Sequence, residues 1–120
     1  MSQSESKEMY LETIYILQQE ENHAHSVDVA KRLNVSKPSV TKAMNNLRKI
    51  GLIDQEKYGP ITLTEEGLAI AKRVYDNHQL ITKFIISSLK LSPEQAEKDA
   101  CKIEHVISAD MVDAIKNYLA

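Results

Sequence analysis

The segment from Ser26 to Tyr58 restricts the possible folds more than any other part of the chain. Its apolar residues first recur with the period of a helix and then form two short alternating runs around a Gly-Pro pair. We predict a short helix capped by Ser26, a tight turn at Asn34, and a second helix that is capped by Ser36 and ends near Ile50. A β-hairpin with its tip at residues 58–60 follows. This order of elements predicts a winged helix-turn-helix.

The second predicted helix has two chemically different faces. Val40, Met44 and Leu47 recur at spacings of four and three residues, which predicts a buried stripe. The opposite face carries hydroxyl, amide and amine side chains, which can reach base edges and phosphates in the major groove of DNA. The predicted DNA-contacting residues, the last two from the hairpin tip, are Ser36, Lys37, Pro38, Ser39, Thr41, Lys42, Asn45, Asn46, Lys57 and Tyr58.

The charge distribution favours DNA binding over a purely structural role for this segment. Two short helices with a capping serine between them also occur in many helical domains that never bind DNA. Here, residues 31–60 contain seven Lys or Arg and two acidic residues, a net charge of +5, although the whole chain has a net charge of −2. A positive patch at the groove-reading elements supplies the counterion-release contribution to nucleic-acid binding.

Length and composition narrow the class of protein. A chain of 120 residues makes one domain, or one domain with a short appendage. No apolar run approaches the length of a membrane span, and the start of the chain is polar and acidic, unlike a secretory signal. The single cysteine, Cys101, cannot form an internal disulfide, which is typical of a reducing compartment. We therefore expect a cytoplasmic protein that does not enter a membrane.

Helical periodicity predicts that the rest of the chain is mainly α. A first helix from about residue 4 to 19 precedes the central segment, and Thr64 can cap a long helix over residues 65–89. Ser92 and Gln95 form a capping-box pattern for a helix that continues to Val106, and Ser108 can cap a last helix. The last two helices are more apolar than a small winged domain needs. We interpret them as a dimerisation unit, with a helical cap packed on the same monomer as the alternative.

We accordingly divide the chain into a winged helix-turn-helix DNA-binding domain, residues 1–63, and a linker helix with a helical metal-binding and dimerisation domain, residues 64–120. The metal-binding assignment starts from Cys101, Glu104 and His105, which share a helix face because they are three and four residues apart. Thiolate, carboxylate and imidazole together suit a divalent transition ion. Taken alone, three such residues on a helix more often have no metal. Met9 and Glu12 are likewise neighbours, and by themselves they are typical of a core methionine and a solvated carboxylate.

The chain resembles the iron- and manganese-dependent repressors, also called the diphtheria-toxin-repressor family, over essentially all of its length. The most specific stretches are EMYLETIY at residues 8–15, SVT at 39–41, LTEEG at 63–67 and IEH at 103–105. In that family the metal ligands come from the first helix, the long helix and the helix after it. The resemblance therefore implies these ligands: Met9, Glu12, His78, Cys101, Glu104 and His105.

Departures from the family pattern bear on the identity of the metal. Iron-responsive members tend to carry Met and Cys at the positions of Met9 and Cys101, whereas Glu12 resembles the manganese-responsive type. Because soft sulfur ligands favour Fe(II) over the harder Mn(II), we expect Fe(II). Iron-type members have a second, ancillary metal site, and two of its ligands are replaced here by Thr82 and Glu97. We therefore do not expect an ancillary site of the iron type. His78 with Glu97 is the remaining candidate for a second ion. We expect a short member of the family, without an SH3-like domain after the dimerisation helices.

The resemblance implies a switch in which the metal acts as a co-repressor. Metal-loaded protein would bind operators of metal-uptake genes as a homodimer, whose recognition helices must lie roughly 34 Å apart to read a palindromic site in double-stranded DNA. A metal-independent winged-helix regulator that senses an organic ligand is one alternative. A metalloenzyme that uses the same side chains is another, but no general base stands beside an open coordination position at a recognisable spacing, and we expect no enzyme.

Overall fold

Six helices and one β-hairpin form the described part of the chain, residues 3–57 and 59–120 of a computed structural model, and the mainly α prediction is confirmed. A division at the Lys72–Arg73 bond, within the long helix, separates two compact units, which we call the amino-terminal and the carboxy-terminal unit. No helix of the described residues is both long enough and apolar enough to span a bilayer. The elements are α1 (Gln3–Glu21), α2 (Ser26–Leu33), α3 (Lys37–Lys49), β1 (Ile53–Gln55), β2 (Ile61–Leu63), α4 (Glu65–Leu89), α5 (Pro93–Ile103) and α6 (Ala109–Leu119).

The helix-turn-helix of the amino-terminal unit has the predicted turn and cap. Asn34 ends α2 in the left-handed conformation, with φ of 54°, which asparagine tolerates better than most residues. Ser36 then caps α3, because its Oγ accepts the backbone N–H of Ser39 at 3.2 Å. The predicted stripe of α3 is buried in a core shared with α1, α2 and the hairpin. Its largest fully buried side chains are Leu11, Ile14, Val29, Val40, Met44, Leu47, Ile53 and Ile61.

The start of α2 differs from the prediction. His25, not Ser26, is the N-cap residue, and the carboxylate of Asp28 accepts the backbone N–H of His25 at 3.3 Å. This bond from the third helical residue sets the first turn of α2. Val29 is buried in this orientation, whereas Val27, two residues earlier and on a different face of α2, is exposed.

The wing is an antiparallel hairpin joined to the rest of the amino-terminal unit at both ends. Ile53 pairs with Leu63 in the sheet, and the N–H of Ile61 donates to the carbonyl of Ala24 at 2.7 Å. Thr64 caps α4 as predicted, because its Oγ1 accepts the N–H of Gly67 at 3.1 Å. Only glycine fits at position 67, since a Cβ on Gly67 would lie 2.0 Å from the carbonyl oxygen of Leu52. The start of α4 therefore packs directly against the hairpin.

The carboxy-terminal unit packs the second part of α4 against α5 and α6 around a small aliphatic core. Ser92 and Ser108 cap α5 and α6 as predicted. The capping-box prediction was wrong for Gln95, whose side chain donates to the carboxylate of Asp99 at 3.2 Å instead of returning to the cap. The core residues are Ile81, Ile85, Ala96, Ala100 and Ile115.

The end of α5 also differs from the prediction. The helix ends at Ile103 and not at Val106, and Glu104 occupies the C-cap position in a right-handed helical conformation. Residues 104–106 form a turn, in which the N–H of Val106 donates to the carbonyl of Ile103 at 3.0 Å. The predicted metal ligands near the end of α5 therefore lie partly in a helix and partly in a turn.

Candidate metal centre and nucleic-acid interface

The outer face of α3 is a polar and basic surface. All of the predicted DNA-contacting residues on α3 and its cap are exposed except Asn45, which is half-buried. Lys57 of the hairpin is exposed as well, and Tyr58 lies outside the described residues. A shallow groove runs along this face, and its lining residues are Lys37, Pro38, Thr41, Lys42, Asn45, Asn46 and Lys49. Lys49 was not among the predicted contacts, although its place on the polar face of α3 indicates it.

Internal hydrogen bonds already hold some polar groups of the α3 surface. Ser36 and Ser39 are joined through their hydroxyl oxygens at 2.8 Å, and Ser36 Oγ also caps the helix. Arg48 donates to Oδ1 of Asn45 at 2.7 Å, which leaves the amide NH₂ of Asn45 as a donor toward a nucleic acid. The arrangement can therefore offer hydroxyl, amide and ammonium groups from one helix face to base edges and phosphates.

In the carboxy-terminal unit, His78 lies between two carboxylates that α5 and the turn after it supply. Nδ1 of His78 is 2.7 Å from Oε2 of Glu104, and Nε2 is 2.6 Å from Oε2 of Glu97. The His78 side chain is 12% exposed, that of Glu104 is 0% exposed, and that of Glu97 is 57% exposed. One nitrogen of the ring therefore faces the interior of the unit and the other faces a solvated carboxylate.

Glu104 has a buried oxygen that lacks a hydrogen bond. Among the described residues, its Oε1 has no hydrogen-bond partner, although Nε2 of His105 lies 3.3 Å away. Glu104 and His105 are consecutive residues of the turn that follows α5. A buried carboxylate oxygen without a hydrogen bond is energetically costly and is suited to a cation.

The donors around Glu104 fit a divalent metal ion. Three possible ligand atoms lie within 4.8 Å of one another, one each from His78, Cys101 and Glu104. Ligand atoms that share one ion through bonds of about 2.0–2.3 Å lie at most about 4.6 Å apart, so a cluster of this size is compatible with a shared ion. Imidazole, thiolate and carboxylate form a mixed donor set for a transition metal, and the cysteine is on the exposed side of the cluster.

The surroundings of His78 favour its protonated form when no metal is bound. The hydrogen bond to Cys101 and the one to Glu104 raise the pKa of His78 from 6.5 to about 11, although burial of the ring lowers it. A protonated ring donates from both nitrogens, which agrees with a carboxylate at each of them. A histidine that ligates a metal has lost the proton from the ligating nitrogen, so an ion bound to His78 would displace a proton.

The two ligands predicted in the first helix belong to the amino-terminal unit. Met9 is half-buried against the core of that unit, and its carbonyl accepts the hydroxyl of Thr13 at 2.8 Å. Glu12 is buried at the next turn of α1. The metal-binding roles of Met9 and Glu12 remain predictions from the family resemblance.

Two positions at which the chain departs from the family pattern also lie in the carboxy-terminal unit. Thr82, one helical turn after His78, is buried, and within the described chain its hydroxyl has no hydrogen-bond partner. The sequence did not decide whether Glu97 is a ligand of a second ion. In the structure its carboxylate contacts Nε2 of His78 directly. Because Glu97, Cys101 and Glu104 are spaced by four and three residues, the periodicity of α5 already indicates that they share a face.

An apolar groove crosses the carboxy-terminal unit where the ends of its helices meet. Several large apolar side chains at this groove are exposed, among them Val106, which is 68% exposed. A continuous exposed apolar surface of this kind is typical of a protein interface. Its most exposed apolar residues are Leu89, Leu91, Ile103, Val106 and Met111.

Comparison with known proteins covers both units. The family model of the iron dependent repressor N-terminal DNA binding domain matches residues 3–61, and that of the iron dependent repressor metal binding and dimerisation domain matches residues 64–120. An HTH-type transcriptional regulator of Methanocaldococcus jannaschii is 36% identical over 117 residues, which are 97% of this chain and 94% of that protein. The transcriptional regulator MntR of Escherichia coli is 37% identical over 107 residues, which are 89% of this chain and 68% of MntR.

Solved structures with the same fold include several regulators. The metal-dependent transcriptional regulator MtsR superimposes with a TM-score of 0.85 at 28% identity, and the manganese regulator SloR with 0.83 at 27% identity. Each match covers 94% of this chain and 53% of the other, so the chain spans about half the length of these solved chains. A manganese-dependent transcriptional repressor in complex with manganese gives a TM-score of 0.87 over 94% of this chain and 52% of that one, and at 24% identity it shows the fold alone.

Replacing Glu104 by alanine should destabilise the metal-free protein by about 1–3 kcal/mol, because it removes the buried acceptor of His78 Nδ1. Urea unfolding followed by circular dichroism in the presence of a chelator measures the change. Lys98→Ala is the control, since Lys98 is an exposed residue of α5, the helix that Glu104 follows, and its effect should stay within about 0.5 kcal/mol. Indistinguishable unfolding of the two variants would contradict a stabilising role for the His78–Glu104 hydrogen bond.

Proposed function

Because the chain belongs to the iron-dependent repressor family, whose two domain models it matches along almost its whole length, we propose that it is a transcriptional repressor whose affinity for DNA depends on a divalent metal ion. The observation that carries this proposal is the convergence of His78, Cys101 and Glu104. The exposed basic face of α3 supplies the DNA-binding surface. We propose no enzymatic activity, because six candidate ligands would leave no open coordination position for a substrate.

The ion would be held in the carboxy-terminal unit by imidazole, thiolate and carboxylate groups. His78, Cys101 and Glu104 supply the clustered ligand atoms, and His105 adds a second imidazole beside Oε1 of Glu104. The resemblance to the family adds Met9 and Glu12, which completes the set proposed from the sequence. When bound, the ion supplies positive charge and coordination bonds that fix these side chains in one arrangement.

We propose Fe(II) as the preferred ion. The proposed ligands include two sulfur atoms, from Met9 and Cys101, and sulfur ligands favour Fe(II) over Mn(II). Several relatives are named as manganese regulators, and the solved structure with bound manganese has the same fold. The choice of Fe(II) therefore depends on the two sulfur-bearing residues of this chain and not on the fold.

Regulation requires that the metal-loaded and metal-free proteins differ in DNA affinity. If the ion binds the DNA-competent arrangement more tightly, it raises the DNA affinity, and DNA raises the metal affinity by the same factor. The exposed apolar groove of the carboxy-terminal unit supports a homodimer, and a twofold dimer matches a palindromic operator in double-stranded DNA. We propose that this repression takes place in the cytoplasm, on genes of metal-ion homeostasis.

Metal should raise the affinity for a specific DNA site by about 5–150-fold, the usual range of coupling between two binding sites. The site is first selected from random duplexes in the presence of Mn(II), and binding is then measured by fluorescence anisotropy with Fe(II), Mn(II) or a chelator, without oxygen. His78→Ala should abolish the difference between metal and chelator. His23→Ala should retain it, because His23 is an exposed residue of the loop before α2. Equal affinity of the wild type with metal and with chelator would discard the proposal and favour a regulator that does not sense metal.

Cys101→Glu should shift the ion preference toward Mn(II), because a carboxylate replaces a soft thiolate ligand. We expect the ratio of Mn(II) to Fe(II) affinity to rise by about tenfold, measured by anaerobic competition with a fluorescent chelator. Lys98→Gln alters an exposed residue of the same helix that is not a proposed ligand, and it should leave this ratio unchanged. An unchanged ratio in Cys101→Glu would exclude Cys101 as a determinant of ion preference.

A charge in the apolar groove should prevent dimer formation. Val106→Glu should sediment as a monomer at concentrations where the wild type is a dimer, because burying an unpaired carboxylate at an interface is unfavourable. Val27→Glu places the same substitution at an exposed apolar residue of the amino-terminal unit and should sediment as the wild type does. A dimeric Val106→Glu protein would show that copies of the chain associate through another surface.

A further inference from the structure

The two carboxylates at the His78 ring have different surroundings, although each lies within hydrogen-bond distance of one nitrogen. Glu104 is buried, and Cys101 and His105 lie beside it, so the Nδ1 side of the ring faces a group of possible ligands. Glu97 is largely exposed and faces Nε2. In the part of the chain that the structure describes, Glu97 belongs to no group of three possible ligand atoms that lie within 4.8 Å of one another. An ion at Glu97 would therefore have few protein ligands, whereas an ion at Glu104 would have several.

We propose that Glu97 is a positioning residue that orients His78 for the metal and is not itself a metal ligand. This inference rests on the proposed metal site and identifies the role of a residue that the family resemblance left undecided. His78 would bind the ion through Nδ1, on the side of Cys101 and Glu104. Its Nε2–H would remain hydrogen-bonded to the carboxylate of Glu97.

The chemistry of imidazole supports this division of roles. A neutral ring carries one N–H, and the hydrogen bond made by one nitrogen decides which nitrogen is left to bind a metal. The short separation of 2.6 Å between Nε2 and Oε2 of Glu97 is typical of a charge-assisted hydrogen bond. A carboxylate that accepts the distal N–H of a metal-bound histidine fixes the orientation of the ring and makes the ligating nitrogen more basic.

The position of Glu97 on α5 suits this role. Glu97 precedes Cys101 by one helical turn, so the helix that supplies the thiolate also supplies the carboxylate that orients His78. Glu97 makes this contact from the solvent-exposed side of the ring, where a hydrated carboxylate has little desolvation cost. Its removal therefore leaves the buried donors in place and changes chiefly the freedom of the His78 ring.

The number of bound ions distinguishes a positioning residue from a ligand. Glu97→Ala should bind the same number of Mn(II) ions per chain as the full-length wild type, with about 10–100-fold lower affinity, measured by the electron paramagnetic resonance signal of free Mn(II). Glu97→Gln should recover most of this loss, because its amide oxygen still accepts the Nε2–H. Glu94→Gln, an exposed residue of the same helix, is the matched control and should bind Mn(II) as the wild type does.

A second measurement tests the orientation of the ring directly. In protein loaded with Zn(II), ¹⁵N spectra should show His78 with the proton on Nε2 and the metal on Nδ1. The Nε2–H should exchange faster with solvent in Glu97→Ala than in Glu97→Gln. A lower ion count in both Glu97 variants, an unchanged affinity in Glu97→Ala, or a metal on Nε2 would each overturn the inference. A wild-type protein that binds no Mn(II) would instead refute the proposed function, so the two failures are distinguishable.

Discussion

The hydrogen bond between His78 and Glu104 is the contact on which the candidate metal centre depends. It joins residues 26 positions apart in the sequence, one from α4 and one from the C-cap of α5. Because the carboxylate of Glu104 is buried, it needs a partner whether or not an ion is present. His78 supplies that partner in the metal-free protein. The packing of α4 against α5 therefore places the donors near one another without an ion, which would reduce the rearrangement that ion binding requires.

Local signals in the sequence predicted most of the fold. Ser36, Thr64, Ser92 and Ser108 cap helices as expected, since a cap depends on residues within one turn. Two of the errors occur where a polar side chain has another partner than the predicted one. Asp28 and His25 define the start of α2 instead of Ser26. Gln95 binds Asp99 although its spacing from Ser92 fits a capping box. Periodicity also predicted that α5 continues to Val106, whereas the helix ends at Ile103.

Less of the candidate metal site than of the fold could be predicted from the sequence. Spacing on α5 brought together Cys101, Glu104 and His105, but it assumed a continuous helix where the structure has a turn after Ile103. No local pattern could add His78, because its nearness to α5 depends on how two helices pack. The family resemblance supplied that residue, as well as Met9 and Glu12, whose roles remain predictions. Helical periodicity and charge were enough to predict the proposed DNA-contacting face of α3. The predicted contacts did not include Lys49, which also lines the groove on this face.

Charge alone cannot explain how an ion would switch DNA binding in such a protein. A divalent ion would change the net charge of the chain from −2 toward zero, and this change would favour any polyanion equally. Such an effect is screened beyond about 8 Å at physiological ionic strength and carries no information about the base sequence. A specific regulator needs a change in how two recognition helices are presented to one duplex. An ion bound at the candidate site would therefore have to act through the side chains that it holds, and the geometry of His78 and its carboxylates would matter more than the charge of the ion.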